Sequence, residues 1–183
     1  MPVSAVFLDR DGVICEDHVE PVASWEEFHV LPGAIEGVVA LSKAGLRVFV
    51  FTNQAGVGRG LVTRGQVEAI HGRLLADVEA AGGRIEGIYA CYHAPDEGCA
   101  CRKPRPGLLL DAAREHGVDL ARAWVVGDMG RDLEAGRGAG CRTILVRTGK
   151  GRKEVETLAA RGIAPDLVAE DLAEAVTRIL AAR

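Results

Sequence analysis

The sequence has few aromatic residues, since Phe, Trp and Tyr together make up 4% of its 183 positions. Its core must therefore be filled by Val, Leu, Ile and Ala, which dominate the 48% of residues that are hydrophobic. The sequence also lacks an excess of positive charge, because its formal net charge is −4. An acidic chain is poorly suited to general binding of nucleic acid or anionic membranes. Any anionic ligand must be met by a local basic or metal-bearing site.

Two further features are missing, a long apolar run and a leader segment. No apolar run approaches the ~18 residues that a membrane-spanning helix needs. The start, Met-Pro-Val-Ser, has neither the charged nor the apolar region of a signal peptide. We therefore expect a cytoplasmic monomer with no nucleic-acid or membrane partner. No repeat or low-complexity linker divides the chain, which predicts one domain over residues 1–183.

Short apolar stretches alternate with segments of helical spacing along the chain. The apolar stretches predict strands buried on both faces, at residues 5–8, 48–51, 88–90, 124–126 and 143–146. The segments around them predict helices at residues 34–44, 63–81, 106–116, 131–138 and 171–181. This alternation predicts an α/β fold, a Rossmann-like open parallel sheet with helices on both faces. In such sheets ligands bind at the carboxyl ends of the strands.

Asp9 and Asp11 flank Arg10 directly after the first predicted strand. Alternate side chains of an extended chain share a face, so one carboxylate can bind metal and attack phosphorus while the other serves as acid and base. Gly12 then permits a sharp turn. Taken alone, the pair is more typical of solvated turn aspartates. A calcium-binding loop is excluded because no Glu stands at its closing position.

Thr52 and Asn53 follow the second strand and can donate a hydroxyl and an amide to phosphoryl oxygens, although both types also cap helices. The glycine-rich segment 55–60 lacks the Gly-Lys-Ser/Thr ending of a P-loop, and we interpret it as a mobile loop beside the site. Lys103 lies among arginines and prolines, which indicates either a local anion-binding patch or a solvated basic loop.

Asp128 and Asp132 follow the fourth strand. Asp128 can complete a magnesium site with Asp9, since magnesium prefers a few carboxylates with water and phosphate oxygens. Asp132 alone is equally typical of a first-turn helix carboxylate favoured by the helix dipole. Taken together, the four signals at successive strand ends resemble the haloacid-dehalogenase-type (HAD-like) phosphatases, from residue 3 to about residue 149.

That resemblance implies a role for each residue. Asp9 matches the nucleophile that carries a transient phosphoryl group, and Asp11 matches the general acid and base. Thr52 and Lys103 match the groups that steady the phosphoryl group. Catalytic magnesium is implied at Asp9, Asp128 and the backbone carbonyl of Asp11, with Asp132 supporting Asp128. The implied activity is magnesium-dependent hydrolysis of a small phosphomonoester.

Cys91, His93, Cys99 and Cys101 form a Cys-x-His…Cys-x-Cys array in a polar loop, residues 91–103. Four such ligands within eleven residues can close around one tetrahedral zinc ion. Four protein ligands leave no open position, so the predicted zinc is structural and fixes the loop that carries Lys103. The alternative is ordinary cysteines beside a chance histidine.

The zinc loop narrows the resemblance to the branch of heptose-1,7-bisphosphate 7-phosphatases and histidinol-phosphate phosphatases. Residues 7–12, 17–18, 52–56, 59–60 and 101–107 look like the corresponding stretches of the heptose group. This resemblance implies hydrolysis of D-glycero-D-manno-heptose 1,7-bisphosphate at its 7-phosphate. The residues expected to bind substrate are Asp17, His18, Val19, Glu20, Asn53, Gln54, Ala55, Arg59 and Arg102. Met129 departs from the pattern, because the heptose group can carry a substrate-contacting lysine there.

Two alternatives to the heptose bisphosphate remain. The first is histidinol phosphate, because the short zinc loop is equally typical of histidinol-phosphate phosphatases. The second is a non-hydrolytic phosphoacceptor or binding module of the same fold, although Asp11 favours hydrolysis. The intervals between motifs hold only short loops and single helix–strand units, which predicts an open site without a separate cap domain.

Overall fold

The computed structural model describes residues 3–182, and all the strands assigned in this range form one parallel sheet. The strand order is β3-β2-β1-β4-β5-β6. In chain order the strands are β1 Ala5–Leu8, β2 Arg47–Asn53, β3 Gly87–Cys91, β4 Ala123–Gly127, β5 Arg142–Val146 and β6 Leu167–Ala169. The strands β2 and β3 are added on one side of β1, whereas β4, β5 and β6 are added on the other side, so the order of strands reverses at β1. A doubly wound sheet opens a ligand crevice at such a point.

Helices connect the strands. They are α1 Ala34–Lys43, α2 Ala55–Gly58, α3 Arg64–Ala80, α4 Gly107–His116, α5 Gly130–Gly138, α6 Gly151–Ala160 and α7 Leu172–Ala181, with a short 3-10 turn at Leu120–Arg122. Sequence signals fix several of these ends. Thr63 and Gln66 form a capping box at the start of α3, and Asp171 caps α7 by accepting from the Glu174 amide.

The helices cover both faces of the sheet. Alternate residues of the central strands enter different cores, so Val6 and Leu8 pack with α1, α3 and α7. Phe7 and Phe49 pack on the opposite face with α4, and their rings stack at 5.0 Å. A third cluster lies under α6, where Leu158 meets Leu133 and Leu145. Buried β1 is thus held from both sides, which fixes the position of the residues that follow it.

The predicted α/β fold and all five predicted strands are confirmed, most with ends one or two residues longer. Burial on both faces is wrong for β3, whose first four residues are only half-buried because it is an edge strand. The mobile-loop interpretation of segment 55–60 is also wrong for its first part, which forms α2. Gly58 packs so tightly there that a Cβ atom would lie 2.3 Å from the Ala94 amide nitrogen.

Among residues 3–182, no helix has both the length and the apolar character needed to cross a membrane. Residues 9–33 run between β1 and α1 as turns and isolated bridges, and the cysteine-bearing loop follows β3 directly. Both stretches border the carboxyl edge of the sheet. They supply the walls of the site described next.

Candidate active site

Three buried carboxylates and one buried ammonium group meet beyond the ends of β1 and β4. Lys103 Nζ lies 2.8 Å from Asp9 Oδ1 and 2.7 Å from Asp132 Oδ1. Asp9, Asp128 and Asp132 each place a ligand oxygen within 4.8 Å of the others. Lys103 also lies over the Phe51 ring and donates to the Phe51 carbonyl oxygen at 3.1 Å. This ammonium is therefore held from three sides.

Strand register explains why the aspartates converge. Leu8 pairs with Val126 across β1 and β4, so Asp9 and Asp128 leave neighbouring strands at the same edge. Gly12 allows the approach, because its φ is +83° and a Cβ atom there would lie 2.3 Å from Asp128 Oδ2. Any larger residue at position 12 would collide with that carboxylate.

The carboxylates outnumber the cations in this cluster. The pKa of Asp9 is raised well above its ordinary value, mainly by burial of the carboxylate and next by the negative charge of Asp132. Burial and Asp132 likewise raise the pKa of Asp128 to about 7. Burial lowers the pKa of Lys103, but Asp132 and Asp9 outweigh it and the net pKa is raised. Three buried oxygen donors with excess negative charge fit a divalent cation such as magnesium.

Asp11 lies apart from that cluster and is held by other groups. Arg10 contacts its Oδ1 through Nε at 3.1 Å and NH2 at 2.8 Å, while Gln54 donates to its Oδ2 at 2.9 Å. Burial raises the pKa of Asp11, but the charge and hydrogen bonds of Arg10 outweigh it and hold the pKa below its ordinary value. The Asp11 side chain stays 24% exposed and lines the cleft described below.

The residues after β2 are tied to the same center. Thr52 is buried and its hydroxyl accepts from Gln54 Nε2 at 2.8 Å, which leaves the hydroxyl proton free to be donated. Asn53 uses its amide twice on the Lys103 backbone, donating to the carbonyl oxygen at 3.2 Å and accepting from the amide nitrogen at 3.1 Å. Asn53 therefore holds the Lys103 loop against β2.

A cleft of about 260 Å³ opens above Asp11. All nine residues predicted to bind substrate line it, and cationic side chains on its walls outnumber anionic ones by two. Two of the cations, Arg131 and Lys150, were missed by the sequence reasoning. Arg131 is the second residue of α5 and lies three residues after Asp128, so its spacing from that aspartate was the available signal. Lys150 follows β5, where no motif marked it.

The cations of the cleft differ in what they contact. Lys150 Nζ pairs with Asp17 Oδ2 at 2.8 Å. Within residues 3–182, Arg102 NH1 and Arg131 Nε are buried without a hydrogen-bond partner. Arg105 is not among the lining residues of this cleft and donates to the Gly98 and Cys99 carbonyl oxygens of the cysteine loop. Arg102 and Arg131 thus line the cleft, and each has one enclosed donor without a protein partner in the described range.

The predicted zinc ligands come together. Cys91 Sγ lies 3.6 Å from both His93 Nδ1 and Cys99 Sγ. Cys101 Sγ lies 3.3 Å from His93 Nδ1 and 3.5 Å from Cys99 Sγ. Tetrahedral zinc places such ligand atoms about 3.6–3.8 Å apart, so these four side chains fit a zinc ion. No cysteine of the described range forms a disulfide.

Comparisons with known proteins agree with this geometry. Residues 100–175 match a family model described as HAD-hydrolase-like. A crystal structure of D,D-heptose 1,7-bisphosphate phosphatase from Bordetella bronchiseptica, complexed with magnesium and phosphate, superposes with a TM-score of 0.90. It is 41% identical, and the match covers 98% of this chain and 99% of that chain.

Two curated relatives carry the name D-glycero-beta-D-manno-heptose-1,7-bisphosphate 7-phosphatase. The Bordetella bronchiseptica protein is 43% identical, over 96% of this chain and 97% of its own. The Pseudomonas aeruginosa protein is 42% identical, over 98% of this chain and 99% of its own. The chain therefore belongs to the HAD-like phosphatases, in the family formed by these heptose-bisphosphate phosphatases.

Proposed function

We propose that this chain hydrolyses D-glycero-D-manno-heptose 1,7-bisphosphate at its 7-phosphate. One observation carries the proposal: the buried pair of Asp9 and Lys103, 2.8 Å apart, adjoins a cleft with an excess of cations. The pair suits attack on one phosphate, and the cations suit a second phosphate on the same molecule. The named relatives act on such a bisphosphate.

In the proposed first step an Asp9 oxygen attacks phosphorus and the bond from phosphorus to the ester oxygen breaks. Arg10 favours the ionised form of Asp11, so the step requires Asp11 to take up a proton when the anionic ester binds, and Asp11 then gives that proton to the leaving oxygen. In the second step Asp11 takes a proton from water as that water attacks phosphorus, and the bond to Asp9 breaks to release inorganic phosphate. Lys103 and the Thr52 hydroxyl steady the charge on the phosphoryl oxygens. Arg10 and Gln54 hold Asp11 in position.

Asp9, Asp128 and the backbone carbonyl of Asp11 would hold the magnesium ion, with Asp132 beside them. Bound there, magnesium supplies positive charge that offsets the repulsion between a carboxylate and an anionic ester. Cys91, His93, Cys99 and Cys101 would hold zinc, which fastens the loop carrying Arg102 and Lys103. The loop's contact with Asn53 supports that arrangement.

The second candidate is histidinol phosphate, whose amine would need an anionic partner. Asp17 and Glu20 line the cleft, but Asp17 already pairs with Lys150. The positive charges of Arg102 and Arg131, which both line the cleft, would repel an amine and favour a second phosphate. The contacts therefore favour the bisphosphate. They also favour hydrolysis over a non-hydrolytic phosphoacceptor or binding module, because Asp11 is accessible to water.

The proposal includes a single domain, residues 1–183, without a separate cap, acting as a monomer in the cytoplasm without nucleic-acid or membrane partners. One sheet through residues 3–182 supports the single domain, and the absence of disulfides in the described range is consistent with a reducing compartment.

The test is kcat/KM for both substrates on the wild type and on Arg102→Ala. We expect the bisphosphate to be preferred, and Arg102→Ala to weaken that preference. A wild type that prefers histidinol phosphate, or an Arg102→Ala protein that handles the bisphosphate normally, would reject the substrate and leave the phosphatase class standing.

A further inference from the structure

A third group of metal-ligating side chains lies at the border of the substrate cleft, and only one of its members, His18, also lines that cleft. Glu16, His18 and His29 place a carboxylate oxygen and two imidazole nitrogens within 4.8 Å of one another. The two histidine rings lie with their centroids 5.8 Å apart and their planes tilted by 43°. His29 Nδ1 lies 3.6 Å from Glu16 Oε2. None of the catalytic steps proposed above uses Glu16 or His29.

The backbone brings two of these side chains together. Cys15 and Val30 form an isolated antiparallel bridge. Beside it the Glu16 amide donates to the His29 carbonyl oxygen at 2.9 Å, and the Leu31 amide donates to the Ile14 carbonyl oxygen at 2.9 Å. Glu16 and His29 are therefore neighbours across two hydrogen-bonded segments. A metal ion would not have to order the backbone that presents them.

The spacing and donor types suit zinc. Two nitrogen or oxygen ligands of tetrahedral zinc lie about 3.4 Å apart, close to the distance between His29 and Glu16. Imidazole favours zinc and similar transition metals over magnesium or calcium, which prefer oxygen donors. The Glu16 and His29 side chains are 56% and 60% exposed, so an ion can enter from solvent.

We propose that Glu16, His18 and His29 form a second zinc-binding site, with three protein ligands and a remaining position for water. Zinc bound at this location would affect one wall of the substrate cleft. His18 belongs to segment 17–20, which lines the substrate cleft, and the neighbouring Val19 is fully exposed. Zinc at this site ties segment 17–20 to the segment that carries His29.

The experiment measures zinc per chain after equilibrium dialysis against micromolar zinc, with excess magnesium to keep zinc off the aspartate cluster. We expect two zinc ions per wild-type chain, one at the cysteine loop and one here. His29→Ala and Glu16→Gln should each bind one. Glu26→Gln removes a nearby exposed carboxylate outside the group and should still bind two.

One zinc per wild-type chain would overturn the proposal, as would two in both His29→Ala and Glu16→Gln. Both substitutions are at exposed side chains, and a thermal melt checks that each variant is folded. Because the readout is metal content, it is independent of turnover and of the substrate proposed above.

Discussion

The Lys103 ammonium group lies between Asp9 and Asp132, 2.8 Å from the first carboxylate and 2.7 Å from the second, with all three side chains buried. Removing one partner of a buried ion pair leaves an uncompensated charge, which typically costs about 3–5 kcal/mol. Lys103 is thus expected to stabilise the fold as well as the phosphoryl group.

We expect Lys103→Met to lower the free energy of unfolding by about 3 kcal/mol in magnesium-free buffer, because the carboxylates then repel one another. Magnesium should restore more stability to this variant than to the wild type, since it supplies the missing positive charge. Denaturant titration with and without magnesium measures both effects. Equal magnesium responses in the two proteins would contradict this reading of the cluster.

A second prediction concerns Arg131, which has a buried donor without a partner among residues 3–182. Arg131→Gln should lower kcat/KM for the bisphosphate by about 10–100-fold, the usual effect of losing a charged hydrogen bond. A simple aryl phosphate, which has no second phosphate, should be affected much less. Arg152→Gln is the matched control, because Arg152 is exposed on α6 and outside the cleft.

Equal losses of kcat/KM for the bisphosphate and the aryl phosphate in Arg131→Gln would mean that Arg131 acts on the reacting phosphate or on the fold. The second phosphate would then need another partner, and Arg59, Arg102 and Lys150 are the other cations of the cleft besides Arg10, which holds Asp11.

The third prediction concerns the cysteine loop. Cys99→Ser should lose one zinc ion per chain relative to the wild type and melt at a lower temperature, because structural zinc contributes folding energy directly. Turnover should fall too, since the loop carries Lys103. Cys141→Ser is the control, because it also removes a thiol but at a residue outside the cluster. The zinc content of this variant should equal that of the wild type. Cys99→Ser with full zinc content would reject the site.

The fourth prediction concerns pH and stability. The pKa of His71 is lowered to about 4, mainly by burial of the imidazole and next by the positive charge of Arg10. The unfolded chain therefore binds more protons than the folded chain between about pH 6.5 and pH 4, so stability falls as the pH falls through this range. His71→Gln removes this loss.

Between pH 7 and pH 5 the wild type should lose about 2 kcal/mol more unfolding free energy than His71→Gln loses. Denaturant titrations at both pH values measure it. Parallel pH profiles for the two proteins would show that His71 keeps an ordinary pKa in the fold.

The sequence predicts the central strands and the residues at their ends well, because each strand is a short apolar run followed at once by polar groups. Asp9, Thr52, Lys103 and Asp128 all lie at the predicted edge of the sheet. Strand β6 was missed because its three residues form a half-buried edge, too short for a periodic signal. Helix α6 lies in the same stretch after residue 149, where no motif guided the reading.

Contacts between distant segments could not be predicted in the same way. Asn53 looks like a substrate donor in sequence, yet its amide holds the Lys103 backbone fifty residues away. Lys150 has no local signal, and it reaches Asp17 only because the loop after β5 passes near the loop after β1. Such partners depend on how the loops meet above the sheet.

The most direct test of the account is steady-state phosphate release from heptose 1,7-bisphosphate by Asp9→Asn and Asp11→Asn, beside the wild type. The account predicts no detectable turnover for Asp9→Asn, because only Asp9 can attack phosphorus. It predicts a loss of roughly 10²–10⁴ for Asp11→Asn, which keeps the nucleophile but not the proton transfers. Asp9→Asn with near-normal release would contradict the mechanism.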